Sequence, residues 1–185
     1  MFKIITLEDV VRVPPNFLGM PVEKTVERIL ADKYKGMVIE GIGYVIKVLN
    51  FKFDPNGKIV PGDGGSYHKT QFSVLSYLPE VQEVALGKVA EIEDFGAFVK
   101  LGPFDALLHV SQITDDFIDY NKTQATLTGR KTGRKLLRGD LLRVRIVAVS
   151  IGTSGGDKVG VTTRQPYLGK PEWIEEDLKR FSEGG

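Results

Sequence analysis

From residue 82 to residue 165 the apolar residues recur at strand spacing only, in five short runs. "EVALGKVAEIED" puts Val84, Leu86, Ala90 and Ile92 in phase, and "FGAFVKL" and "DALLHV" follow with Gly102-Pro103 between them. A polar stretch, 114–139, shows no periodic element. "LLRVRIVAVS" then alternates, with Leu142, Val144, Ile146 and Ala148 expected inside and Arg143 and Arg145 outside. "KVGVTTR" is the fifth run. Five short strands with one long excursion between the third and fourth predict a small closed β-barrel of the OB type.

Residues 1–80 follow a different rhythm. "FKIITLEDVVRV" places Ile5, Leu7, Val11 and Val13 on one strand face and stops at Pro14-Pro15. Val22, Val26, Ile29 and Leu30 recur at helical spacing between Pro21 and Gly36, which predicts an amphipathic helix. "GYVIKVLNF" (43–51) is rich in β-branched and aromatic residues and is expected as a buried strand. "DPNGKIVPGDGG" (54–65), with four Gly and two Pro, is expected as a long hairpin tip, and "YHKTQFSVLSYLP" returns as a strand. The order β-α-β-β predicts an α+β domain over 1–80 with one helix on an antiparallel sheet, followed by the all-β barrel over 81–185. The tail "KPEWIEEDLKRF" predicts a short helix with Trp173, Ile174, Leu178 and Phe181 on one side.

Composition narrows the chemistry. The 185 residues include no Cys, which excludes disulfides and thiolate zinc sites. No apolar run reaches the roughly 18 residues of a membrane span, and no charged-then-apolar leader opens the chain. A cytoplasmic protein without a membrane contact is expected. Net charge is only +1, yet residues 130–145 hold seven Lys/Arg against Asp140, a local +6. A catalytic site does not assemble. His68 and His109 fall in different domains without zinc spacing, and Asp115, Asp116 and Asp119 lack a second acidic motif. "PGDGG" lacks the Lys-Ser/Thr of a phosphate loop. No metal and no cofactor are expected.

The second barrel strand carries the better clue. Phe98 and Lys100 share a face opposite Ala97, Val99 and Leu101. Phe95, three residues before Phe98, would face the other way on a regular strand. Gly96 offers a bulge or turn that reverses parity and brings both rings to one surface. Otherwise Phe95 plugs the core. Rings that stack on bases, with His109, Lys100, Arg143 and Arg145 around them, make a surface suited to single-stranded nucleic acid. Lys88 and Lys158 complete this candidate RNA-binding set.

"LGKVAEIEDFGAFVKLGPFDALLHVSQI", "LLRGDLLRVRIVAVS" and "KVGVTTR" together resemble the S1 RNA-binding domain, an OB-fold, over about residues 82–165. "GYVIKVLNF", "GKIVPGDGGSYHKTQF", "GPFDALLHVSQITDDFIDY" and "TTRQPYLGKPEWI" extend the resemblance from Met1 to about residue 178. They resemble the E-prime component of the archaeal RNA polymerase stalk, counterpart of the seventh subunit of eukaryotic RNA polymerase II. The resemblance implies a ribonucleoprotein-like N-terminal tip domain docked on the polymerase core near the clamp, with the small helical F component of the stalk packed alongside. It also implies an S1 barrel for emerging single-stranded RNA and cooperation with a transcription initiation factor. The chain would be a component of a nucleotidyltransferase complex without a catalytic site of its own. The expected core-docking tip is Gly57, Lys58, Ile59, Val60, Pro61, Gly62, Asp63 and Gly64. Two positions depart from the family pattern: Ala106 where Gly is usual, and Ser150 where many S1 domains carry an acid. An S1 factor of the exosome or of translation initiation would explain 82–165 equally well, but not the N-terminal half.

Overall fold

The computed structural model describes residues 1–17, 19–152 and 156–183. The chain divides into two compact units, Met1–Leu78 and Pro79–Gly185.

In the first unit, β1 (Phe2–Val13) is followed by α1 (Val22–Tyr34), β2 (Val38–Ile39), β3 (Gly43–Phe53), β4 (Lys58–Ile59) and β5 (Ser66–Tyr77). The main sheet order is β1-β5-β3-β2, all antiparallel, and β1 and β5 stay in unbroken register from Phe2↔Tyr77 to Val13↔Ser66. One sheet face carries α1. Val26 and Leu30 of the helix pack on Val11, Val13, Val45, Phe72 and Val74, all buried. Among the described residues of this unit no second helix covers the other face, and this corrects the expectation for "GYVIKVLNF". β3 is half-buried, with Lys47, Leu49 and Asn50 exposed, and it is bulged twice against β5. The short strands β2 and β4 were not anticipated. Both are two residues long, below the length at which alternation shows.

The second unit holds β6 (Val84–Glu93), β7 (Gly96–Leu101) and β8 (Phe104–His109), then β9 (Ile118–Asn121), β10 (Thr126–Gly129) and β11 (Lys135–Leu136). It continues with β12 (Leu141–Ser150), β13 (Lys158–Thr162) and α2 (Pro171–Glu183). The barrel closes in the order β12-β13-β8-β7-β6, with β13 and β8 the parallel pair. The expected phase of β6 is wrong in its first half. A bulge between Val89 and Glu91 switches parity, so Gly87, Val89 and Ile92 face in while Val84 and Leu86 are exposed. Gly87 is needed inside: a Cβ there would lie 2.4 Å from Val99 Cγ1. A second bulge, between Ile146 and Ala148, turns Ala148 outward against expectation.

The stretch 114–139, expected to lack periodic structure, forms a three-stranded sheet, β11-β10-β9. Its strands are too short to alternate visibly, and their cohesion comes from buried Leu127 and Leu136 and from Asp116, which accepts from the backbone N–H groups of Lys131 and Thr132 at 2.8 Å each. α2 buries Trp173 and Ile174, whereas Leu178 and Phe181 are exposed, so the expected four-residue apolar side is seated only at its first turn. The guanidinium of Arg134 and the ammonium of Lys170 lie 5.6 and 6.0 Å from the Trp173 ring. Among the described residues no helix is long and apolar enough to cross a membrane.

Candidate nucleic-acid interface

β6 and β7 meet in a two-residue turn, Asp94-Phe95, and Gly96 leaves it with φ +153°. A Cβ on Gly96 would lie 2.2 Å from the Leu108 carbonyl oxygen and 2.9 Å from His109 Cα, so only glycine lets β7 and β8 pair there. The turn resolves the parity question. Phe95 is 44% exposed, and its ring meets that of Phe98 edge-on, centroids 6.0 Å apart. Both rings stand on the outer surface; neither plugs the core.

A transverse row crosses the barrel wall at Phe98: Glu91, Phe98, Leu107, Gly160 and Ala148 are neighbours on successive strands. Gly160 presents no side chain, so the wall is low two strands from Phe98. His109 pairs with Gly96 at the end of β8 and is exposed. Its Nδ1 accepts from the Ser111 backbone N–H at 3.2 Å and lies 2.8 Å from Ser111 Oγ. The neutral ring therefore carries its proton on Nε2, which leaves that nitrogen a donor. Ser111 is not among the expected site residues, although "LLHVSQ" carries it two residues after His109.

The cations divide into two groups. Lys100 is exposed two residues beyond Phe98 on the same face, about 7 Å along the strand, and reaches Asp105 at 3.7 Å. Lys88 stands directly opposite Lys100 on β6, and Lys158 pairs with Ser150 at the start of β13. Arg143 and Arg145 are not brought to the rings. Ala148 lies three strands from Phe98, and Arg145 and Arg143 lie roughly 10 and 17 Å further along β12. Arg143 donates to the Tyr167 carbonyl at 3.5 Å and Arg145 to Gln82 Oε1 at 3.4 Å. Nor is the +6 run one patch. Arg130 pairs with Asp119, and Arg134 pairs with Asp177 and Glu176. The three aspartates have separate partners: Arg164 for Asp115, the 131–132 backbone for Asp116 and Arg130 for Asp119.

The 54–65 segment is shaped rather than loose. Lys58 and Ile59, as β4, pair with Tyr67 and Ser66. Gly57 lies against the buried His68, whose ring is held by the Asp54 carbonyl and Ser66 Oγ. Val60-Pro61-Gly62-Asp63 closes a turn, with Gly62 at φ +88° and the Asp63 N–H on the Val60 carbonyl at 3.0 Å. The Asp63 carboxylate accepts from Arg12 Nε at 2.6 Å, Tyr67 OH at 2.6 Å and the Gly65 N–H at 3.0 Å. The Arg12 guanidinium, then the Tyr67 and Gly65 donors, hold it well below the usual carboxylate range. Gly64 packs on Pro15. Fixed from beneath, the segment leaves Ile59 78% exposed and Val60 45% exposed.

Comparisons with known proteins give two family matches. The S1 RNA binding domain family matches residues 78–153, and the SHS2 domain found in the N terminus of Rpb7p/Rpc25p/MJ0397 matches residues 8–64. The two family matches thus define a subunit of the Rpb7p/Rpc25p type that carries an S1 RNA binding domain. The DNA-directed RNA polymerase subunit Rpo7 of Saccharolobus shibatae is 38% identical over 180 residues, covering 97% of this chain and 100% of that protein. Rpo7 of Sulfolobus acidocaldarius is 36% identical over 182 residues, 98% of this chain and 100% of that protein. Bovine DNA-directed RNA polymerase III subunit RPC8 is 28% identical over 108 residues, 58% of this chain and 53% of that one. The chain belongs to the Rpo7 family of DNA-directed RNA polymerase subunits.

Proposed function

We propose that this protein holds nascent single-stranded RNA on the Phe95–Phe98–His109 face of its S1 barrel. Its N-terminal unit docks on the polymerase core near the clamp through the 57–64 tip, and the small helical F component of the stalk pairs with it as a heterodimer. From there it supports initiation with an initiation factor, then elongation and termination, in the cytoplasm where transcription runs. The chain contributes binding, and the chemistry belongs to the core.

The observation that carries the RNA assignment is the pair of outward rings at 6.0 Å, Phe95 exposed and Phe98 half-buried, with His109 exposed at the end of the neighbouring strand and Lys100 two residues beyond Phe98. Exposed rings tolerate any base, since stacking is worth about 1–3 kcal/mol per base whatever its edge. Phe98→Ala is therefore expected to weaken binding of an oligouridylate about 5- to 150-fold, and His109→Ala to weaken it less. Unchanged affinity in both variants would remove RNA from this face.

A further inference from the structure

Beyond the rings, the barrel wall opens into a groove of about 760 Å³ lined by Leu86, Lys88, Lys100, Arg138, Gly139 and Leu141 among others, none of them acidic. We infer that this groove is a phosphate-binding extension of the RNA site, taking the backbone of a single strand that has stacked on Phe95 and Phe98. The inference rests on the RNA reading of those rings.

Charge placement is the first argument. Lys88 and Lys100 face each other directly across β6 and β7, an arrangement that costs stability in a sheet. Asp105 reaches only Lys100, and among the described residues no acid pairs with Lys88 or Arg138. A folded barrel that keeps three cations around one concavity has a site for an anion. Two of the three come from outside the basic run. Within that run Arg130 and Arg134 are committed to acids, and Arg143 and Arg145 donate to Tyr167 and Gln82. Only Arg138 of the run lines this groove.

Rigidity is the second. Arg138 sits at the corner of the turn Leu137–Asp140, where Gly139 supplies φ +93°. Asp140 Oδ2 takes the Leu137 N–H at 2.7 Å and Lys170 Nζ at 3.0 Å, and Gly139 N–H binds the Val89 carbonyl at 2.8 Å. The turn that carries the arginine is thus anchored to β6 through the backbone of Gly139 and Asp140. Leu86, 62% exposed, and Leu141, 48% exposed, give the floor an apolar surface for sugars or base faces between the cations.

Continuity is the third. Lys100 belongs to both surfaces, about 7 Å along β7 from Phe98. Glu91 stands directly beside Phe98 on β6, so phosphate is repelled at the level of the rings and attracted two residues further along β7, where Lys100 and Lys88 pair. A strand leaving the rings is therefore steered along β7 toward Lys100 and Lys88.

The test uses the full-length chain and oligouridylates of about 4 and about 16 nucleotides, the span of single-strand site sizes on OB folds. Affinity is measured across salt for the native chain, Arg138→Gln, Arg138→Gln with Lys88→Gln, and Phe98→Ala. For the long oligomer the slope of log K against log salt should fall by about 0.7 in the single variant and about 1.4 in the double variant. Arg138→Gln should leave the short oligomer unaffected, and Phe98→Ala should weaken both lengths. An unchanged slope in the double variant, with Phe98→Ala still impaired, would overturn the groove and leave the rings standing. The reverse pattern, Phe98→Ala normal and the double variant impaired, would overturn the rings and with them the groove as their extension. Equal loss at both lengths in Arg138→Gln would overturn the extension. Polyglutamate binding as tightly as the long oligomer, and lost in the double variant, would overturn RNA as the ligand in favour of an acidic protein. Melting temperature checks the fold: Lys88→Gln relieves a like-charge pair and should not lower it.

Discussion

Replacing Gly96 with alanine asks whether one glycine holds the ridge of Phe95, Phe98 and His109 together. The new Cβ would sit 2.2 Å from the Leu108 carbonyl oxygen, where ordinary contact begins at 3.4 Å, so β7 and β8 must part by about 1 Å at that point. The neighbouring bond from the Val110 N–H to the Phe95 carbonyl, now 2.9 Å, would stretch beyond hydrogen-bonding range. An alanine held at φ +153° adds strain of about 1–3 kcal/mol. Losing the hydrogen bond adds about 1 kcal/mol, for a total of about 2–4 kcal/mol. In a domain of this size that lowers the melting temperature by roughly 10–25 °C. Gly160→Ala is the control, because its Cβ meets Ala148 at an ordinary 3.4 Å and the melting temperature should hardly move. Calorimetry reads both. Below the transition, oligouridylate affinity of Gly96→Ala should also fall, because Phe95 and His109 are moved relative to Phe98. A Gly96→Ala chain that melts within a few degrees of the native one and binds RNA normally would refute this account of the turn.

Three further predictions concern other parts of the molecule. Ile59→Asp with Val60→Asp should leave the melting temperature within a few degrees, since both side chains are exposed, yet abolish recruitment to core polymerase in a pull-down; shortening 57–64 to a two-residue turn should do the same while RNA binding persists. Asp63 is held below the usual carboxylate range, so its contribution to tip order is fully present above about pH 4 and is lost as pH falls through its lowered value. Amide exchange at Gly65 should therefore quicken only in strong acid, and in Asp63→Asn that acid step should disappear. Trp173→Ala should cost about 3–5 kcal/mol, because a buried ring is removed from beneath Arg134 and Lys170; a melting temperature unchanged by calorimetry would contradict its role in seating α2.

Much of this architecture was legible in the sequence where an element was long and one-sided. β1 and α1 show their inward residues at period 2 and period 3.6, and the core uses Val11, Val13, Val26 and Leu30 as that periodicity requires. Bulges were not legible. At Val89/Glu91 and Ile146/Ala148 an extra residue flips parity, and nothing in "KVAEIE" or "RIVAVS" marks the step. The sheet at 118–136 was missed because two- to four-residue strands leave no pattern to count. At the site, Gly96 beside Phe95 was enough to raise the parity reversal that the structure shows. The arginines misled for a related reason: a charge run in sequence has no fixed relation to a charge patch in space. Arg143 and Arg145 share a strand with the barrel wall but lie on a different stretch of it from the rings. Arg138 joins Lys88 and Lys100 only because a turn folds back onto β6.

The central claim, that single-stranded RNA lies on the Phe95–Phe98–His109 face, is tested most directly by following amide and aromatic NMR signals of the full chain as oligouridylate is added. The account predicts that the ring protons of Phe95, Phe98 and His109 and the amides of β7 and the end of β8 shift first and furthest. Arg143 and Arg145 should move little. Saturable RNA binding that leaves the Phe95 and Phe98 rings unmoved, with the shifts gathered instead at β9 and β10, would contradict it.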